Sequence, residues 1–334
     1  MTGSLRDAPP EVDRLRVGDV EPGTEGRRLV RVGEDALGRS LCVPVLIARG
    51  LHSGPVVGLT AAVHGNELNG VPAIHRLFQT LDPEALHGTV VGVPIVNIPA
   101  YLSRKRTLPE GVDLNRLMPG DERGSLGRQY AFHLRTRVIE HLDDLVDLHT
   151  ASFGRVNALY VRADLTHPVA RRMALWQGAE IVVHNEAGDG TLRGAAMAAG
   201  IPAITVEVGD PQRFQRRLIR DSVSGLSNVL AGLGLFPGHA PEATDAPVVC
   251  GRSRWIHAQH GGLLEVFPGV GDPVAKGAPL ARVTSVFGDI VAEYTAPEAG
   301  VVVGKSTDPV CESGARVLHL GIPSTLDAIP LRSP

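Results

Sequence analysis

The segment Pro55-Val56-Val57-Gly58-Leu59-Thr60-Ala61-Ala62-Val63 is apolar almost from end to end and stops at a polar turn, His64-Gly65-Asn66-Glu67. A run of strand length without polar alternation reads as a strand buried on both faces. Buried runs of the same kind recur at Thr89–Asn97, Leu145–His149, Ile181–His184 and Ala203–Val208. Helix-like stretches run from the turn after Glu67 to about Leu81, from Leu126 to His141 and from Gln212 to about Leu233. Such strands, alternating with helices, predict an α/β fold with a mixed, mostly parallel sheet flanked by helices on both faces. Residues 14–50, ahead of this core, look like short strands separated by Gly-rich turns.

The character changes after Gly238. Residues 239–246 are rich in Pro, Ala and acid, and from Pro247 onward the chain has Gly, Val and short alternating runs with no convincing helix. The expected division is a large domain over 14–238, a linker over 239–246 and a small all-β barrel-sandwich domain over 247–325. The small domain contains an internal repeat: Ala258–Leu264 resembles Ala296–Val302, and Gly271-Asp272-Pro273-Val274 is echoed by Thr307-Asp308-Pro309-Val310. Two halves of this size suggest pseudo-twofold symmetry. The shape resembles biotinyl and lipoyl carrier domains, which carry a modifiable Lys at a hairpin tip. Thr284–Glu293, between the halves, has no Lys, so the domain reads as structural or as a lid.

Composition excludes several function classes. Apolar residues make up 43% and charged residues 21% of the 334, as in ordinary globular chains rather than disordered or membrane ones. No stretch approaches 18 consecutive apolar residues, which argues against a membrane span. A net charge of −3 argues against a general nucleic-acid binder. Cys42, Cys250 and Cys311 are odd in number and far apart, which disfavours a disulfide framework and a Cys-based zinc knuckle. The first dozen residues are polar and proline-bearing, with no apolar core of a signal peptide, so the expected setting is cytoplasmic and this stretch is expected to fray. Of the 33 basic residues, 30 are Arg. Coding bias accounts for most of that ratio, but Arg also clamps carboxylates better than Lys does.

The chemistry-bearing residues sit at strand ends. His64-x-x-Glu67 closes the first buried strand and His149 closes another, in Asp147-Leu148-His149-Thr150. Two His and one carboxylate are a standard ligand set for a catalytic Zn²⁺ with an open position. Open α/β sheets place their ligands at the carboxyl ends of their strands. Glu207 places a charge inside the apolar strand Ile204–Val208, where it must be paired or functional; a general base is the functional reading, and a solvent-facing strand end the ordinary one. Asp113-Leu114-Asn115-Arg116 follows a turn and reads either as a capping segment or as a carboxylate-binding loop. Among the remaining histidines, the strand-end His184 is the one to check for proximity to a metal. Arg213–Arg217 reads as a solvated helix face.

Together, His-Gly-Asn-Glu, Asp-Leu-Asn-Arg, Asp-Leu-His-Thr and Glu-Val-Gly resemble, in order and spacing, the succinylglutamate desuccinylase/aspartoacylase family, a branch of the zinc carboxypeptidase-like hydrolases. The likeness runs over nearly the whole chain, including Ser253-Arg254-Trp255 at the start of the β domain. It implies one Zn²⁺ per chain, held by His64, Glu67 and His149 in a hydrolase domain over 14–238. It implies Glu207 as the catalytic glutamate and Arg106, ahead of Arg104, as the arginine that polarises the scissile carbonyl. Asn115 and Arg116 would hold the substrate carboxylate, Arg193 would contact substrate, and Asp147 is a candidate to support His149. Where aspartoacylases have a second substrate-binding arginine this chain has Met197, which puts an N-acetylaspartate-like dicarboxylic substrate in doubt. The implied activity is a zinc-dependent deacylase of a small N-acyl amino acid. The alternative is a zinc carboxypeptidase acting on a short peptide or peptide tail, and the reading from another class is a metal-bound, non-catalytic binding protein. The expected partner is the small-molecule substrate, without nucleic acid or membrane, and a homo-oligomer is left open.

Overall fold

The computed structural model describes residues 8–186, 188, 190–238 and 245–332. Residues 1–7 and most of the expected linker, 239–244, lie outside these. In chain order the strands of the first part are β1 (Glu11–Val12), β2 (Thr24–Glu34), β3 (Ser40–Arg49), β4 (His52–Ala61), β5 (His87–Val93), β6 (Asp144–His149), β7 (Arg155–Asn157), β8 (Leu159–Ala163), β9 (Ile181–His184) and β10 (Ala203–Val208). The helices are α1 (Gly70–Phe78), α2 (Ile98–Leu102), α3 (Leu126–Arg137), α4 (Pro168–Trp176), α5 (Leu192–Ala198) and α6 (Arg216–Gly232). The last part holds β11 (Val248–His257), β12 (Gly262–Val266), β13 (Pro273–Val274), β14 (Pro279–Thr284), β15 (Ile290–Thr295), β16 (Gly300–Ser306), β17 (Val310–Cys311) and β18 (Arg316–Pro323).

The sheet is mixed, with order β1-β2-β3-β5-β4-β6-β10-β8-β9-β11-β18-β16-β13. Its centre, β5-β4-β6-β10, is parallel. The apolar runs became these strands because both faces are covered. One core, with Leu59, Ile74, Leu77, Met173, Val206 and Leu226, lies under α1, α4 and α6. The other, with Ile47, Val91, Tyr130, Leu134, Leu145 and Leu192, lies under α3 and α5.

Several boundaries differ from the sequence expectation. Residues 14–50 form two long paired strands rather than short ones, and Glu11–Val12 pairs with Leu29–Val30 instead of fraying. β5 stops at Val93, because Asn97 turns to cap α2 through the Ala100 amide. The helix expected to reach His141 ends at Arg137, and a 3-10 turn over Ile139–His141 follows. Strand β8 and helices α4 and α5 were not anticipated. β8 runs antiparallel to β10 and carries Arg162 in its middle, which hid its apolar pattern.

The C-terminal strands are not detached from this sheet. β11 continues it by pairing in parallel with β9, Val248–Cys250 against Ile181–Val183. A four-stranded sheet, β15-β14-β12-β17, encloses a further core with Leu264, Leu280, Val283, Leu318 and Leu320. The repeated halves interleave: β12 of the first pairs with β17 of the second, and β13 of the first with β16 of the second. No described helix is long and apolar enough to cross a membrane.

One core-edge charge carries a stability prediction. Asp144 opens β6 with its side chain buried, and burial together with Asp143 pushes its carboxyl up to about 6. A raised folded pKa favours the neutral acid, so this contribution is present below the unfolded pKa near 4 and is lost as pH rises through about 6. Asp144→Asn is expected to stabilise the protein by about 1–3 kcal/mol at pH 8 and to be nearly neutral at pH 4. Urea unfolding at the two pH values checks this; equal effects at both would contradict the assignment.

Candidate active site

β4 delivers the chain into the site through a strained turn. Ala62 is fully buried at φ 53°, a conformation costly for a residue with a Cβ. The segment after β5 pins the turn: Val96 and Asn97 amides donate to the Ala61 and Ala62 carbonyls, and the Asn97 side chain donates to the Val63 carbonyl. Gly65 must be glycine, since a Cβ there would lie 2.0 Å from the Ala100 carbonyl carbon. The turn thereby projects His64 and Glu67 inward, both buried at 2% exposure.

β6 and β10 supply the opposite wall. His149 and Glu207 are register partners, as are Asp147 and Thr205. The two-residue period of a strand therefore puts all four on one face. Glu67 bridges the histidines, with Oε1 2.9 Å from His64 Nδ1 and Oε2 3.0 Å from His149 Nδ1. Ligand atoms of His64, Glu67 and His149 all lie within 4.8 Å of one another.

The donor set fits a divalent cation. His64 Nδ1 is buried and makes no hydrogen bond, although Glu67 is near. Each ring is held by its far nitrogen: His64 Nε2 lies 3.0 Å from Asp113 Oδ1, and His149 Nε2 lies 2.8 Å from Asp147 Oδ2. Thr60 in turn donates to Asp147 Oδ1 at 2.7 Å. A carboxylate accepting Nε2–H leaves the Nδ1 lone pair free to ligate, the usual arrangement behind metal-bound histidines.

Electrostatics bind the same groups together. Burial opposes the charge on Glu67, but His64 and His149 outweigh it and hold its carboxyl far below the usual range. Burial likewise works against protonation of both rings, and it is overcome by Glu67 and Asp113 at His64 and by Asp147 and Glu67 at His149. Without a metal, the neighbouring carboxylates thus bias both rings toward protonation against the effect of burial.

The other anticipated residues line one cavity of about 330 Å³ with these ligands. Arg106 donates to Glu67 Oε1 at 2.6 Å, Ser152 Oγ at 2.7 Å and Asp113 Oδ2 at 3.1 Å. Arg104 is exposed at φ 56° and does not line the cavity. Arg116 is exposed at the cavity mouth, and Asn115 lines the wall while its Oδ1 accepts from the Leu192 amide that opens α5. Arg193 lines the cavity but is buried and spends two donors on Asn185, its carbonyl and its Oδ1. Burial lowers its pKa to about 10.

Glu207 is held by Asn157, whose Nδ2 donates to Oε2 at 3.1 Å, and by Arg162 Nε at 3.7 Å. Burial raises its carboxyl above the usual range, against the pull of Arg162 and His149. Asn157 is pressed into place by β16, where a Cβ on Gly304 would come within 2.2 Å of its Oδ1.

Two readings change. Met197 packs partly buried against the core and accepts from the Ala203 amide through Sδ, so it does not line the cavity. His184 accepts from the Leu165 amide through Nδ1 and stands outside the cavity. Asp113 was grouped with Asn115 and Arg116, whereas its side chain secures His64. Arg155, Asn157, Arg162, Trp255 and Arg316 also line the cavity and were not anticipated. No local pattern marks them, because they come from β7, β8, β11 and β18.

Comparison with known proteins accords with this geometry. Residues 53–233 match the family model of the succinylglutamate desuccinylase/aspartoacylase catalytic domain. The N-alpha-acetyl-L-2,4-diaminobutyric acid deacetylase of Halomonas elongata is 28% identical over 287 residues, covering 81% of this chain and 83% of that one. Among solved structures, the product-bound ectoine utilization protein EutE (DoeB) from Ruegeria pomeroyi is similar at a TM-score of 0.81 with 25% identity, covering 89% of this chain and 95% of that one. The succinylglutamate desuccinylase/aspartoacylase from Rhodobacter sphaeroides is similar at 0.81 with 26% identity, covering 94% and 99%. With more than half its length matched by the family model, the chain belongs to the succinylglutamate desuccinylase/aspartoacylase family.

Proposed function

We propose that this protein is a zinc-dependent amidohydrolase that cleaves the amide bond of a small N-acyl amino acid. The observation that carries the reading is the convergence of His64, Glu67 and His149 in one cavity with the half-buried Glu207. The deacetylase name of the Halomonas elongata relative supports the reaction class.

His64, Glu67 and His149 would hold the zinc, with Asp113 and Asp147 fixing the two rings. Zinc bound there would supply a Lewis acid and lower the pKa of a water in its open position from about 15.7 toward about 7. Glu207 takes the proton of the attacking water and returns it to the leaving amine nitrogen. Its raised pKa makes it a stronger base near neutral pH than a solvated carboxylate. Asn157 donates to Oε2, while Oε1, 3.7 Å from Arg162 Nε, is the oxygen that would take the proton. Arg106 donates to the oxyanion that forms, a contribution of about 2.7–4 kcal/mol for one well-placed donor. Arg116, with the free amide nitrogen of Asn115, holds the α-carboxylate.

Asp113→Asn is expected to weaken zinc binding about 10–100-fold while leaving the fold intact. Competition with a chelator measures this, and unchanged affinity would remove Asp113 from the account. Release of free amine from a panel of N-acetyl amino acids, run beside short peptides, tests the reaction. Faster cleavage of the peptides would contradict a small-molecule deacylase.

A further inference from the structure

Glu207 has an arginine beside it that does not close on it. Arg162 Nε stands 3.7 Å from Glu207 Oε1, beyond hydrogen-bond reach, although both side chains line the same cavity. The reason lies on the neighbouring strand. β8 runs antiparallel to β10, with Tyr160 the register partner of Glu207 and Arg162 that of Thr205. The two-residue period of a strand puts Tyr160 and Arg162 on one face, and the arginine turns back onto its neighbour. Its Nε donates to the Tyr160 hydroxyl at 2.9 Å and its Nη2 donates to the same oxygen at 2.5 Å. An arginine Nε carries one hydrogen, so the nitrogen beside Oε1 has none left for it.

The hydroxyl that takes this hydrogen is fixed from behind. Tyr160 is fully buried among Ile181, Val183, Cys250, Val301 and Val303, with the His319 ring edge-on at 6.2 Å. These neighbours come from β9, β11, β16 and β18, and Tyr160 does not itself line the cavity. Asn157 donates to the other oxygen, Oε2, and among the described residues Oε1 accepts no hydrogen bond. At its present distance the guanidinium opposes the effect of burial on the carboxylate. In contact, at the about 2.7–2.9 Å of a charge-assisted bond, it would also occupy the lone pair that receives the proton.

We propose that the Tyr160 hydroxyl is a tether: by taking the Nε and Nη2 hydrogens of Arg162 it keeps the guanidinium from closing on Glu207, and so leaves Oε1 open to the proton of the attacking water. Tyr160 is a positioning residue, acting through Arg162 without touching substrate. The inference deepens the amidohydrolase reading and rests on it.

Tyr160→Phe keeps the buried ring and removes only the hydroxyl. In the zinc-loaded protein it is expected to lower kcat for an N-acetyl amino acid about 10–100-fold, part of the about 10²–10⁴-fold that a general base contributes, with KM changed less than about twofold. The loss is expected to require the arginine. In an Arg162→Met background, adding Tyr160→Phe should change kcat by less than about twofold, a coupling that a double-mutant cycle reads. An equal loss in both backgrounds, or a loss confined to KM, would overturn the tether, since damage to a merely structural ring does not depend on Arg162. A crystal structure of Tyr160→Phe needs no turnover. It is expected to show the Arg162 guanidinium about 3 Å from Glu207 Oε1, and a guanidinium that stays in place or turns into the cavity would overturn the tether. A native chain that releases no amine would sink the amidohydrolase reading and the tether's role with it. Native release that Tyr160→Phe leaves undiminished would sink the tether alone.

Discussion

Zinc-loaded Glu207→Gln is expected to turn over N-acyl amino acids about 10²–10⁴-fold more slowly than the native chain, with KM changed far less. The substitution keeps the shape of the side chain and its hydrogen bond from Asn157, but removes the proton acceptor. Glu207 is the only carboxylate on β10 and is register-paired with His149, so no other group on that strand can take its place. The pH profile of the native enzyme carries the same assignment. Burial raises the Glu207 pKa, so kcat should fall on the acid side at a pH above that of an ordinary carboxylate, and this limb should vanish in Glu207→Gln. Native turnover in the zinc-loaded variant would end the proposed mechanism.

Glu67→Gln is expected to abolish stoichiometric zinc binding. Glu67 lies against both histidines, and its charge is what a cation held there would be attracted to. At zinc a thousandfold above its dissociation constant, the native chain should gain about 4 kcal/mol of stability, and the variant should gain none. Thermal unfolding with and without zinc reads the difference. The pH dependence of binding follows from the same cluster. In the metal-free protein the pKa values of His64 and His149 are raised, by Glu67 with Asp113 and by Asp147 with Glu67, against the effect of burial. Their contribution to metal-free stability is complete below the ordinary histidine value of about 6.5 and is lost as pH rises through the raised values. Zinc must displace these protons, so its affinity should climb with pH through that window and then level. Calorimetry in buffers of different ionisation enthalpy should show proton release on binding; its absence would contradict the ligand assignment.

Much of the fold could be read from the chain because the central strands are buried on both faces. Burial on two sides removes the polar alternation that a half-exposed strand needs, so Leu145–His149 and Ala203–Val208 stand out as apolar runs. The candidate metal group could be picked out because His64 and Glu67 stand in the polar turn that ends one apolar run and His149 closes another, while Glu207 interrupts a third. What escaped notice was set by contacts between distant segments. Strand β8 holds Arg162 against the Tyr160 hydroxyl, so an internal polar pair interrupts a pattern that is otherwise strand-like. Helix α5 has seven residues, mostly Ala and Gly, too few to show an apolar stripe. Asp113 stands 49 residues from the His64 ring it secures, and spacing alone tied it to its neighbours Asn115 and Arg116. Trp255 and Arg316 reach the cavity only because β11 extends the main sheet beyond β9. Met197 shows the converse: a departure from a motif, read from the sequence as bearing on substrate, sits on a residue that packs partly buried against the core and does not line the cavity.

The most direct measurement is zinc content and turnover on one preparation. The purified protein is assayed by mass spectrometry for metal, stripped with chelator, and then titrated with zinc while amine release from an N-acyl amino acid is followed. The account predicts that activity is lost on stripping and returns in proportion to zinc up to one ion per chain. A stripped protein that binds no zinc, or that binds one equivalent and releases no amine from any N-acyl amino acid offered, would contradict it.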